Sequence, residues 1–187
     1  MSHYSPDRST FSKLKDAIVV VSGASTGIGA AAVKTLAENG AKVVCGDINT
    51  DAGEKLCKEH AGLDFVKCDV TVYDDIYKLF KTAYEKYGRI DHAISSAGIF
   101  ETGNWFDPTL TIDSVAKDSG NLKTFHVNVI GTLHFLRIGA VFLREGRQEK
   151  QDKSLTILSS VNAFRESPGL YIYQVRSPVH EVYFKLI

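Results

Sequence analysis

Cysteine is scarce in this sequence and unpatterned. Cys45, Cys57 and Cys68 make an odd count with no CxxC spacing. That excludes a recognisable zinc or disulfide framework and suits reduced, half-buried thiols in a cytoplasmic protein. The six histidines are scattered with no pair at ligand spacing, so no metal is expected. Net charge is also lacking: Lys+Arg and Asp+Glu both count 22. Neither nucleic acid nor an anionic membrane is therefore expected as a partner. The opening MSHYSPDRST has no apolar region of a signal peptide, and no apolar run approaches 18 residues. Secretion and membrane spanning are not expected. No repeat, low-complexity tract or Pro/Gly-rich linker divides the chain. Its 187 residues, 44% hydrophobic and 24% charged, suit one globular domain over 1–187.

What is present is an alternation of apolar runs and helix-period segments. Residues 17–22 (AIVVVS), 42–46 (KVVCG), 64–68 (DFVKC), 90–95 (IDHAIS) and 154–158 (SLTIL) read as five strands. Between them, 30–39, 50–60, 73–87 and 121–143 read as helices, the first and third closed by Gly40 and Gly88. The charged stretch 144–153 (REGRQEKQDK) reads as a solvated helix end and loop. Such alternation with short connections predicts an α/β fold: a doubly wound parallel sheet with helices on both faces. Ligands of such sheets bind outside the carboxyl ends of the strands.

A glycine loop, Gly23-Ala-Ser-Thr-Gly27-Ile28-Gly29, separates the first strand from the first helix. Backbone without a Cβ can approach a pyrophosphate closely, and the helix N-terminus behind it offers free N–H groups. Ser25 and Thr26 add hydroxyls for phosphate or ribose. Asp47 lies 18 residues beyond Gly29, at the end of the second strand. Its carboxylate suits both hydroxyls of an adenosine ribose and repels a 2′-phosphate, which favours NAD over NADP. It also suits a plain turn in GDINTD. Asp69 and Val70 follow the third strand, placed to meet an adenine ring or simply to turn the chain. Ser95-Ser96-Ala97-Gly98 follows the fourth, with small residues that permit close approach of a cofactor.

Together these pieces resemble the classical short-chain dehydrogenase/reductase family over about 14–175, with 176–187 a divergent tail. SGASTGIG stands for the family's TGxxxGxG, Asp47 for its acidic strand end and Asp69-Val70 for its adenine-contacting pair. SSAG replaces the usual NNAG, with Ser96, Ala97 and Gly98 carried over to the cofactor. The resemblance implies a Rossmann-type fold missing the last family strands. It also implies a catalytic Ser160, a Tyr173 13 residues beyond it, and an Asn128 that supports a proton-relay water. Taken alone, Ser160, Tyr173 and a mid-helix Asn128 each read as structural. By resemblance, Ser160 bonds the substrate oxygen and Tyr173 exchanges its proton, while the nicotinamide cofactor carries the hydride to or from a small alcohol or carbonyl compound.

A further position departs from the family. Four residues after Tyr173, where the family places a lysine that lowers the tyrosine's pKa, stands Ser177, followed by Pro178. A free tyrosine is ionised at only about one part in a thousand at pH 7. Losing the lysine is expected to cost roughly 3–4 kcal/mol in available tyrosinate, two to three orders of magnitude in rate. Pro178 is expected to distort or abolish the helix carrying Tyr173. The family's homo-oligomer is not carried over, because its interface helix is not continued here. Two readings accompany the impaired oxidoreductase: a non-catalytic NAD-binding or interaction module, and a mis-spliced end on a complete enzyme.

Overall fold

The structure, a computed structural model, describes residues 8–146, 151–160, 162 and 169–175. Its frame is a sheet of five parallel strands: β1 (Ile18–Ser22), β2 (Lys42–Asp47), β3 (Leu63–Lys67), β4 (His92–Ser95) and β5 (Ser154–Ile157), in the order β3-β2-β1-β4-β5. The doubly wound α/β fold expected from the alternation is thus found. Chain order reverses between β1 and β4, which opens a crevice at the carboxyl ends of these strands.

β1 has no exposed residue, as a β-branched run between two helical layers requires. Val20 faces a core shared with α3 (Tyr73–Tyr87) and the long helix α5 (Lys123–Arg144), through Ile76, Leu79, Phe80, Phe135 and Ile138. Val19 and Val21 face the other layer, α1 (Gly27–Glu38) and α2 (Thr50–Glu59), through Val33, Leu36 and Leu56. Phe80 and Phe135 meet at 4.9 Å between ring centroids with no exposure. Each contributes about 1.5–3 kcal/mol through burial. Gly88 closes α3 in the left-handed conformation (φ 72°), as its sequence position predicts.

Several features differ from the sequence reading. Helix α1 begins at Gly27, not residue 30, so the glycine loop forms its first turn. Helix α5 runs 22 residues but widens to π geometry over His126–Ile130, with Asn128 at the centre. By length and mean hydropathy (1.4) α5 could cross a membrane. Here its apolar stripe packs on α3 and the sheet, as a core helix does. The charged stretch is not wholly solvated: the Lys153 side chain is 1% exposed, and its Nζ donates to the Ile90 carbonyl at 2.7 Å. The four-carbon stem can be buried because β4 and β5 leave that carbonyl, and Asp91 at 4.0 Å, beneath it. A short helix α4 (Ile112–Val115), with a Thr111–Ser114 capping box, was not anticipated. A second, α6 (Tyr171–Val175), carries Tyr173. The segment expected to be distorted or absent is therefore helical as far as Val175; Ser177 and Pro178 lie outside the described residues.

Candidate active site

The crevice is a cleft of about 1030 Å³ that runs from the glycine loop to Tyr173. At its floor, the Ala30 N–H makes the first bond of α1, to Thr26 O at 3.1 Å. The N–H groups of Gly27, Ile28 and Gly29 therefore have no partner within the helix. All three residues line the cleft, as does Thr26, whose side chain makes no capping bond. Glycine is required at two positions by close packing. A Cβ at Gly29 would lie 1.9 Å from the Gly23 carbonyl oxygen, and one at Gly23 (φ 69°) 2.5 Å from the Ala97 nitrogen. The loop is thus pressed against the segment after β4, where Ser96, Ala97 and Gly98 form the facing wall.

Asp47 lies on the cleft wall as expected, but it is also bonded inward. Its Oδ2 accepts the Ser25 N–H and its Oδ1 the Asn49 N–H, each at 2.9 Å. Ser25, expected to offer a hydroxyl to phosphate or ribose, is not on the cleft wall. It is buried, and its hydroxyl donates to the Asn49 carbonyl at 3.2 Å. The loop's tight turn directs that side chain towards α2, leaving Thr26 alone to offer a hydroxyl.

Asp69 and Val70 also line the cleft. Oδ1 of Asp69 accepts both the N–H (2.9 Å) and the hydroxyl (2.7 Å) of Thr71. Val70 is buried against Gly131 of α5. Asn128 is fully buried and off the wall: Oδ1 accepts the Ile99 N–H at 2.9 Å and Nδ2 donates to the Ile99 carbonyl at 2.8 Å. The π segment aims this amide at the loop after β4 and so ties α5 to the cleft's rim.

At the far end stand Tyr173, stacked on Phe100 (5.1 Å, 23°), and Leu158 and Ser159 from the end of β5. Ser160 is half-buried and is not on the wall; its Oγ accepts the Asn162 N–H at 3.3 Å. Tyr171, two residues before Tyr173, packs edge-on against Phe106. Phe100, which the sequence suggests as part of an apolar wall with Trp105 and Phe106, lines the cleft; sequence reasoning missed Lys123 and His126 on the wall and Glu101 behind it. No motif marks them, since the loop after β4 is irregular and α5 brings its residues there only by packing.

Of the three thiols Cys68 lines the cleft, and Cys45 and Cys68 are more buried than expected. Burial pushes the Cys68 thiol up to about 12. Cys45 is raised by its hydrogen bond with Cys57 and by burial, and Cys57 is lowered by the same bond. No group of three or more His, Cys, Asp or Glu that could hold a metal occurs among the described residues.

The family described as short chain dehydrogenase matches residues 17–175. Among individual proteins, the chain is 36% identical over 153 residues to short-chain dehydrogenase/reductase ascJ of Acremonium egyptiacum, covering 80% of this chain and 49% of that protein. It is 36% identical over 162 residues to an uncharacterized oxidoreductase of Staphylococcus saprophyticus, covering 86% and 61%. The crystal structure of gox2181 superposes with a TM-score of 0.73 at 22% identity, over 89% of this chain and 64% of that one. The chain thus spans about half to two thirds of the length of these proteins.

Proposed function

This chain belongs to the short-chain dehydrogenase family, and on that premise we propose that its cleft binds NAD and serves hydride transfer between a secondary alcohol and a ketone. The observation that carries the reading is Asp47 on the cleft wall beside three unpaired helix N–H groups, with no Lys or Arg in the loop 23–29. Those N–H groups and the Cβ-free surface at Gly23 and Gly29 fit a pyrophosphate. Asp47 would accept the ribose hydroxyls through lone pairs not used by Ser25 and Asn49, and would disfavour a 2′-phosphate. Asp69 and Val70 would flank the adenine, while Ser96, Ala97 and Gly98 would border the ribose and nicotinamide half.

When bound, the nicotinamide supplies the hydride acceptor or donor. Tyr173 would exchange a proton with the substrate oxygen, as base in oxidation and acid in reduction. Ser160 would bond that oxygen after a rotation at the end of β5, with Ser159 its nearer neighbour on the wall. Asn128 would hold the rim through Ile99 and support a relay water. Ser177, standing in the place of the family's lysine, leaves Tyr173 without that ammonium. Turnover by this chain is accordingly proposed to be two to three orders of magnitude below the ordinary value of about 10 s⁻¹. The same position supports a second reading, a module that binds NAD without turning it over. The protein is taken as cytoplasmic on its free thiols, with a small alcohol or carbonyl compound as its partner.

Calorimetry on residues 1–187 tests this directly. NAD is expected to bind several-fold more tightly than NADP, and secondary-alcohol oxidation to run at roughly 0.01–0.1 s⁻¹. Equal or tighter NADP binding overturns the assignment of Asp47. An ordinary turnover rate overturns the impairment, and tight NAD binding without any turnover selects the second reading.

A further inference from the structure

Helix α6 has five residues in Tyr171–Val175, too few to be stable by its own hydrogen bonds. Its Gln174 N–H reaches Leu170 O at 2.9 Å, but the N–H groups of its first turn have no helical acceptor. Two of them are satisfied from far along the chain. Glu101 Oε2 accepts the Ile172 N–H at 2.7 Å and the Tyr173 N–H at 3.1 Å, across 71 and 72 residues. Two aromatic residues of the same loop, one before and one after Glu101, grip the same helix. Phe100 stacks on Tyr173, and Phe106 meets Tyr171 edge-on at 4.6 Å.

We propose that Glu101 is the positioning residue for Tyr173: its carboxylate caps α6 from the loop after β4 and sets where the tyrosine ring stands in the cleft. The inference rests on the reading of Tyr173 given above, while the clamp is a property of the fold. A carboxylate suits this place, since it accepts two N–H groups through one oxygen and lies at the positive end of the helix. The three contacts share one short segment, so placement of Tyr173 is coupled to the rim that Asn128 holds through Ile99. Glu101 acts on Tyr173 through the backbone, by Oε2, while its Oε1 is buried with no hydrogen-bond partner among the described residues.

Amide exchange and proton NMR on residues 1–187 test the clamp without cofactor or turnover. In the parent, the Ile172 and Tyr173 amides should exchange slowly, and the Tyr173 ring protons should carry the ring-current shift of Phe100. In Glu101→Ala, and in Glu101→Met, which keeps length without an acceptor, both amides should exchange at least about tenfold faster and the ring shift should vanish, with the β1 amides unchanged. Glu101→Gln, which keeps an acceptor oxygen, should restore both signals. Where turnover is measurable, the Ala variant should lose kcat while the KM for NAD stays the same. Unchanged amides and ring shift in the Ala and Met variants overturn the proposal. So does loss of β1 protection in both, which would make Glu101 a general stability residue. A chain that binds no NAD yet shows the two signals refutes the functional reading and leaves the clamp standing.

Discussion

The Asp47 carboxylate accepts the Ser25 N–H at 2.9 Å, so the residue closing β2 also braces the glycine loop that follows β1. On the proposed reading, cofactor choice and loop shape are joined in one side chain. Asp47→Ala is therefore expected to do two things. NAD affinity should fall roughly tenfold through lost ribose and loop bonds, each worth about 0.5–1.5 kcal/mol. NADP affinity should fall less, because the repulsion of its extra phosphate is relieved. Calorimetric titration with both cofactors reads the ratio; an unchanged ratio would separate Asp47 from cofactor choice.

Gly29 and Gly27 should respond differently to alanine. At Gly29 the new Cβ would collide with the Gly23 carbonyl oxygen, while at Gly27 nothing lies within 4 Å and only the positive φ of 55° resists. Gly29→Ala is expected to abolish measurable NAD binding. Gly27→Ala should cost about 1–2 kcal/mol and leave binding detectable. Circular dichroism would confirm that both remain folded.

Lys153 should matter for stability out of proportion to its place in a charged stretch. Lys153→Ala removes a buried donor from the Ile90 carbonyl and from the neighbourhood of Asp91. An acceptor left unsatisfied there should cost about 1–3 kcal/mol. Tm is then expected to fall by roughly 2–12 °C in a thermal melt. A shift within 1 °C, roughly the scale of ordinary surface substitutions, would place the amine in solvent.

Burial holds the His92 imidazole below its ordinary range, against the opposing pull of Asp152 and Asp91. The unfolded chain takes up this proton near pH 6.5, the folded chain only at lower pH. Stability contributed by neutral His92 is therefore present above about pH 6.5 and declines as pH falls towards the folded value, at no more than about 1.4 kcal/mol per pH unit. Urea melts at pH 7.5 and 5.5 should show this loss. His92→Gln should flatten that part of the dependence, and an identical slope in the variant would assign it to other groups.

Local chemistry made much of this legible in advance. The β-branched run at β1, Gly88 at the end of α3 and the glycine loop each act through the backbone of a few neighbouring residues, so they can be read from adjacent letters. Asp47 and Asp69 were legible because a strand end projects its next residue into the crevice. Ser25, Lys153 and Glu101 were not. Ser25 looked like a phosphate ligand until the turn directed its hydroxyl to Asn49. Lys153 looked solvated until β5 paired with β4.

The sequence by itself determined the parallel α/β sheet, the cradle at Gly23, Gly27 and Gly29, and the serine that stands for a lysine at 177, because each depends on residue type at short spacing. Only the tertiary structure decided that Asp47 braces the loop, that Asn128 holds Ile99, and that Glu101 caps the helix of Tyr173 from 72 residues away. Those bonds join segments whose meeting depends on how the helices pack across the sheet, and no local pattern records it.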